Sequence, residues 1–159
     1  MLTCFCGKMG AGKTTRSRIE AAEKNAVLLS EDAWLAAHYP DQIHTFDDYL
    51  KYARQIRGFV RQHVQAILGT GTNVVMDFPA NTRRQRQWFV QLCEGIACEL
   101  ELVFLDTDDD TCLARLATRR LEQPERAEFD TEAVFRAVTQ FFEAPNSDEQ
   151  LNIRRMAQT

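Results

Sequence analysis

Gly7-Lys8-Met9-Gly10-Ala11-Gly12-Lys13-Thr14 satisfies the pattern GxxxxGK(S/T), and its flanks decide the fold. The apolar run Leu2–Cys6 before it reads as a short strand, and residues 13–24 after it read as a helix. A strand, a glycine loop and a helix in that order are what phosphate binding requires. Gly7, Gly10 and Gly12 allow positive φ and close backbone approach, so successive N–H groups converge on polyphosphate oxygens at the helix start. Lys13 then neutralises the β and γ phosphates, and the Thr14 hydroxyl is a candidate ligand for Mg2+ bridging them. The expected nucleotide contacts are Gly7, Lys8, Met9, Gly10, Ala11, Gly12, Lys13, Thr14 and Thr15, although an exposed loop lysine such as Lys8 is more often simply solvated.

Working outward, apolar and amphipathic stretches alternate. A second apolar run, 26–29, ends at Ser30-Glu31-Asp32, and helical patterns follow at 33–38 and 46–68. In the longer one Tyr49, Tyr52, Ile56, Phe59, Val60, Val64 and Ile67 recur near a period of 3.6. Gly69-Thr70-Gly71-Thr72 is a turn, 73–76 a buried strand, 81–95 a helix and 99–105 a strand. The acidic cluster 106–110 suits the cap of a helix over 109–121, which Pro124 interrupts. Asp130 is expected to cap a further helix reaching Phe142, and 151–154 to form a last strand. Strands alternating with helices predict the α/β class, a mostly parallel sheet covered on both faces. No repeat, linker or change in composition divides the chain, so a single domain over 1–159 is expected.

Composition excludes other classes. With 159 residues, 45% hydrophobic and 26% charged, the chain matches a globular domain and not a disordered or fibrous one. No apolar run spans a membrane, and the start lacks a basic region and cleavage site, so membrane spanning and Sec-type secretion are not expected. A net charge of −4 disfavours non-specific nucleic-acid binding, so phosphate recognition must be local. Fifteen arginines against four lysines favour bidentate anion contact. Cys4, Cys6, Cys93, Cys98 and Cys112 lack zinc spacing and read as reduced, mostly buried thiols of a cytoplasmic protein, Cys4 and Cys6 sharing a strand face. His38, His44 and His63 show no metal-ligand spacing, no Ser/His/Asp or Cys/His set suggests itself, and Trp34 and Trp88 read as core.

Candidate catalytic groups follow from position. Asp32 lies beyond the carboxyl end of the second strand, the ligand-binding edge of a parallel sheet, where it suits the general base for an attacking hydroxyl. A helix-capping role is the alternative, with Glu31 as the fallback base. Asp77 ends a hydrophobic strand and suits a Mg2+ shell or the substrate. Arg115 and Arg119 share a helix face, with Arg120 and Arg126 beyond, and read as a lid over 119–130 that stabilises charge and excludes water. Salt bridges to Glu122, Glu125 and Glu128 are the plainer account. Arg54, Arg57, Arg61, Arg83, Arg84 and Arg86 either frame an acceptor pocket or lie on solvated helix faces. No NKxD guanine-specifying motif is present, which favours adenine.

Residues 7–15, Asp32, 74–77 and the Arg115, Arg119 pair together resemble the phosphate-loop kinases, in particular small AAA-type ATP-binding proteins near polynucleotide kinase, chloramphenicol phosphotransferase and zeta toxins. The resemblance spans most of the chain, residues 148–153 being similar to the family's last strand. It implies a five-stranded parallel sheet in the order 2-3-1-4-5, ATP with Mg2+ as donor and a hydroxyl acceptor. It also implies Asp32 as base, Asp77 as the acid after the third strand and Arg115 and Arg119 as lid arginines. Phe78-Pro79-Ala80-Asn81 departs from the pattern of a dedicated polynucleotide kinase. The expected activity is ATP-dependent transfer of the γ-phosphate to a small-molecule hydroxyl. The alternatives are a polynucleotide 5'-hydroxyl kinase, with nucleic acid entering only as acceptor, and a non-catalytic ATP-binding regulatory module.

Overall fold

The structure is a computed structural model and describes residues 1–158. Five strands alternate with helices: β1 (Leu2–Cys6), α1 (Lys13–Glu23), β2 (Val27–Ser30), α2 (Glu31–His38), α3 (Phe46–Gly69), β3 (Val74–Pro79), α4 (Arg83–Cys93), β4 (Leu100–Thr107), α5 (Asp109–Glu122), α6 (Glu132–Thr139) and β5 (Asn152–Gln158). Short 3-10 turns lie at Pro124–Arg126 and Ser147–Glu149. All paired strands are parallel, and the sheet order is β2-β3-β1-β4-β5, so the chain has the α/β phosphate-loop fold expected.

Because strand side chains alternate in direction, each central strand feeds two cores. Leu2, Cys4, Cys6, Val74, Met76, Phe78, Leu102 and Phe104 pack under α2, α3 and α4. Phe5, Val75, Val103 and Leu105 face α1, α5 and α6 through Ala21, Cys112, Leu116 and Phe135. Burying each large aliphatic or aromatic side chain stabilises the fold by about 1.5–3 kcal/mol before entropy is counted. Cys4 and Cys6 do share one buried face, and all five thiols are free. The α3 face that meets the sheet is Ala53, Ile56, Val60 and Val64, and a reciprocal Thr45–Asp48 capping box starts the helix. Phe59, assigned to that face by periodicity, is 58% exposed and instead touches Trp34 and His63. Trp34 and Trp88 are half-buried against the core.

Several boundaries move for local reasons. Ser30, not Asp32, caps α2, and Thr82 caps α4 with a Gln85 capping box. Thr131 caps α6, which stops at Thr139 short of Phe142, while Asp130 is wholly buried and engaged elsewhere. The last strand runs four residues beyond the expected 154, to Gln158, and both Arg154 and Arg155 belong to it. They break its apolar pattern yet pair with Glu101 and Asp106 of β4. Residue 159 lies outside the described residues. Among the described residues no helix is long and apolar enough to cross a membrane.

Arg86, expected as a possible wall of an acceptor pocket, is 1% exposed and structural. Its guanidinium makes a two-bond contact with Glu149 at 2.7 and 2.8 Å and donates to the carbonyls of Ala80 (3.1 Å) and Glu143 (2.8 Å). Arg83, likewise, bonds both Asp148 oxygens at 2.9 Å. The turn before β5 is thereby riveted to α4 and to the segment after β3. Removing one partner of so buried a pair leaves a stranded charge. Arg86→Ala is expected to lower unfolding free energy by about 3–5 kcal/mol in urea melts; a loss within experimental error of zero would contradict this role.

Candidate functional site

The loop after β1 closes on itself through Ala11 N donating to Lys8 O (3.0 Å), and its first amide, Gly7 N, donates to Asn81 Oδ1 (2.9 Å). Gly10 and Gly12 have φ of 79° and 96°. A Cβ on Gly10 would stand 2.7 Å from the Cys112 carbonyl of α5, so the loop is pressed against that helix and only glycine fits. Gly12 is the left-handed N-cap of α1, and no side chain caps that end. The first-turn amides of α1 therefore point into the loop with no side-chain partner at the cap, the arrangement that attracts anions.

Lys13 Nζ lies over the loop, donating to Gly7 O (2.5 Å) and Lys8 O (2.9 Å). Burial pulls its ammonium below the ordinary value, and the nearby Asp77 charge opposes this. Burial likewise pushes the Asp77 carboxyl up, against a hydrogen bond from the Thr14 side chain and the Lys13 charge. A hydroxyl and a carboxylate side by side fit a hard cation such as Mg2+. Among the described residues no three His, Cys, Asp or Glu side chains gather to hold a metal, so phosphate oxygens and water would complete such a shell. Lys8 is paired with Asp109 at 2.6 Å across the mouth of the loop, which tethers it to α5. Met9 is half-buried and touches the second core, and Ala11 is fully buried in it, so these two contribute backbone amides, while Thr14 and Thr15 are exposed.

On the β2 and β3 side, Ser30 pairs in register with Asp77, which brings the start of α2 beside the end of β3. Asp32 is exposed there and does not cap its helix, so its carboxylate is not consumed by that role. Glu31 differs: it is 3% exposed, Oε1 accepts from the Tyr49 hydroxyl, and Oε2 has no hydrogen-bond partner. Burial pushes its carboxyl up to about 7; the Asp32 and Asp77 charges add to this, while Tyr49 and Arg57 oppose it.

On the β4 side, Arg115 Nη1 donates to the Ala11 carbonyl at 3.1 Å, reaching the loop itself. Arg119 is held through two bonds to Asp130, at 2.5 and 2.6 Å, and acts electrostatically on Lys13. Arg126 donates to the same carboxylate at 3.1 Å, and Arg120 to the Asp130 carbonyl at 2.8 Å. The arginine cluster of 119–130 thus converges on one buried acid and not on Glu122, Glu125 and Glu128. Asn81, Tyr49 and Asp130 were not singled out as site residues from sequence. Asn81 had a signal, the unusual Phe78-Pro79-Ala80-Asn81 stretch, whereas Asp130 read as an ordinary cap. Of the six arginines considered for an acceptor pocket, Arg83 and Arg86 are diverted to acids, Arg54, Arg61 and Arg84 are exposed, and Arg57 stands over the Trp88 ring at 5.0 Å.

Known proteins agree with this architecture. No curated protein sequence matches. Among solved structures, Kti12 from Chaetomium thermophilum in complex with ADP-AlF3 superposes with a TM-score of 0.71 at 19% identity, over 99% of this chain and 89% of that one. A sugar kinase from a Janibacter species gives 0.67 at 19% identity, over 98% and 84%. The APS kinase of Mycobacterium tuberculosis, in complex with AMPPNP and APS, gives 0.59 at 18%, over 98% and 87%. At these identities the likeness is one of fold. The model of the AAA domain family, however, matches residues 2–145, nearly the whole chain, and with the phosphate loop in its expected place the chain belongs to that family.

Proposed function

We propose that this protein is an ATP-dependent phosphotransferase that moves the γ-phosphate to a hydroxyl of a small molecule, with Mg2+ assisting. The observation that carries the reading is the juxtaposition at one sheet edge of an amide-lined loop, the Thr14–Asp77 pair and an exposed, uncommitted Asp32. A site that only held nucleotide has no need of the third. Similarity to a sugar kinase and to an APS kinase supports it as well.

In this mechanism the loop amides and Lys13 hold the β and γ phosphates, and Thr14 and Asp77 would hold the cation, which would supply charge neutralisation at the transferred group. Asp32 accepts the proton of the acceptor hydroxyl. The acceptor oxygen bonds to the γ-phosphorus as the bond to the β–γ bridging oxygen breaks, and ADP leaves. Arg115 and Arg119 stabilise the charge spread over the γ-oxygens, Asp130 fixing the Arg119 fork. Cytoplasmic residence fits the free thiols.

Asp32 is a better base than Glu31 because it is exposed to an incoming hydroxyl, whereas Glu31 is sealed under Tyr49. Two measurements separate their roles. Asp32→Asn is expected to leave ATP affinity within about twofold while slowing transfer by about 10²–10⁴; equal loss of binding and transfer would refute the base role. Glu31 is expected to show itself in stability. Its folded pKa near 7 exceeds the unfolded value of 4.5, so its contribution is complete below pH 4.5 and is lost as pH rises through 7. The loss is on the order of 3 kcal/mol. Asp77 moves in the same direction in both proteins, so Glu31→Gln should flatten the fall in melting temperature between pH 5 and 8. An unchanged slope would contradict the burial account.

A further inference from the structure

Two thiols meet at the edge of the sheet opposite the phosphate loop. Cys93 ends α4, and Cys98 lies in the turn that leads into β4 at Leu100. Because the strands run parallel, that turn sits at the amino ends of β4 and β5, whereas the loop follows the carboxyl end of β1. Cys93 Sγ donates to Cys98 Sγ at 3.3 Å, and Cys98 Sγ to the Glu99 carbonyl at 3.4 Å.

The spacing of the sulfurs sets this pair apart. A disulfide holds its sulfurs about 2.05 Å apart, so these two need to approach by about 1.2 Å. The turn between them has room to move. Ile96 N donates to the Cys93 carbonyl at 3.3 Å and Cys98 N to the Ile96 carbonyl at 2.9 Å, while Glu94, Gly95 and Ala97 are exposed. Gly95 takes a φ of 79°, and a Cβ there would meet nothing within 4 Å among the described residues.

Access separates the pair from the remaining thiols. Cys4, Cys6 and Cys112 are buried, whereas Cys93 and Cys98 are half-buried. Cys93 also lines an open cleft of about 470 Å³ with Val90, Glu99, Leu100 and Leu151, which leaves space beside the pair for a reagent. Burial pushes the Cys93 thiol up, and the hydrogen bond it donates to Cys98 adds to this. Cys93 therefore keeps its proton, which makes Cys98 the first nucleophile and Cys93 the thiol that resolves the product.

We propose that Cys93 and Cys98 form a reversible modification site, oxidised by low-molecular-weight disulfides to an intramolecular disulfide that staples the end of α4 to the start of β4. The Cys98 thiolate attacks one sulfur of the reagent, which forms a mixed disulfide and releases one thiolate. Cys93 gives its proton to solvent, attacks the Cys98 sulfur and releases the other half of the reagent as a second thiolate. The two protein thiols lose two electrons and two protons in all, and the reagent is reduced to two thiols. A dithiol reductant reverses both steps. The site uses neither nucleotide nor acceptor, so its failure would leave the phosphotransferase reading where it stands.

The test treats the reduced protein with oxidised glutathione, alkylates the remaining thiols with N-ethylmaleimide after denaturation, and maps the cysteine peptides by mass spectrometry. Cys93 and Cys98 alone are expected to escape alkylation and to be recovered joined to each other, with dithiothreitol restoring both. Cys93→Ser should trap glutathione on Cys98, and Cys98→Ser should slow modification at Cys93 about tenfold or more. Full alkylation of both residues, under conditions that oxidise free dithiothreitol, overturns the site. So does a stable glutathione adduct in the wild-type protein without the Cys93–Cys98 bond, or a disulfide that joins other cysteines. Modification of Cys93 in Cys98→Ser at the wild-type rate overturns the assigned order of attack.

Discussion

The structure depends on one constraint: a backbone turn must pass so close to a neighbouring helix that its amides all face inward. Gly10 meets that constraint, since any side chain there would strike the Cys112 carbonyl, and Gly12 completes it by taking the left-handed conformation that starts α1. Around this turn the neighbouring elements hold the loop in place. Gly7 is pinned by Asn81 after β3, Ala11 is gripped by Arg115 of α5, and Lys8 is tethered to Asp109. The two cores on either side of the sheet hold these contacts in register.

Much of the buried charge on the protein is spent on architecture. Arg86, Arg154 and Arg119 each find a buried or half-buried carboxylate, and Glu20, 1% exposed, accepts from Arg16, Lys24 and Arg154 at the foot of α1. Those hydrogen bonds hold the Glu20 carboxyl down to about 2 despite its burial. Such pairs fix one arrangement at the expense of alternatives, since a buried charge tolerates no other partner. The site departs from this rule. There Asp32 is not used as a cap, and Glu31 Oε2 and Arg57 Nε have no hydrogen-bond partner.

The fold was legible because its signals are local. The glycine loop, the strand before it and the alternation of apolar runs with helical patterns give sheet class and element order, and resemblance to a known family supplied the strand order. The loop residues and the Asp32 and Asp77 positions were legible for the same reason, since each sits at a strand end that the pattern identifies. Long-range pairing was not. Nothing in the neighbourhood of Arg86 says that Glu149 waits 63 residues away, nor does Asp130 advertise that it collects three arginines instead of capping a helix. The edge strand was expected only as far as Arg154, because periodicity counts apolar residues and Arg155, which carries the strand onward, is held by charge to Asp106.

The central claim is that main-chain amides of the loop and the first turn of α1 hold a triphosphate. Its most direct measurement is a titration of isotope-labelled protein with ATP and Mg2+, following backbone amide resonances. The account predicts that Gly10, Gly12, Lys13 and Thr14 shift most and saturate together. Saturation of a different surface, with those four resonances unmoved, would contradict it.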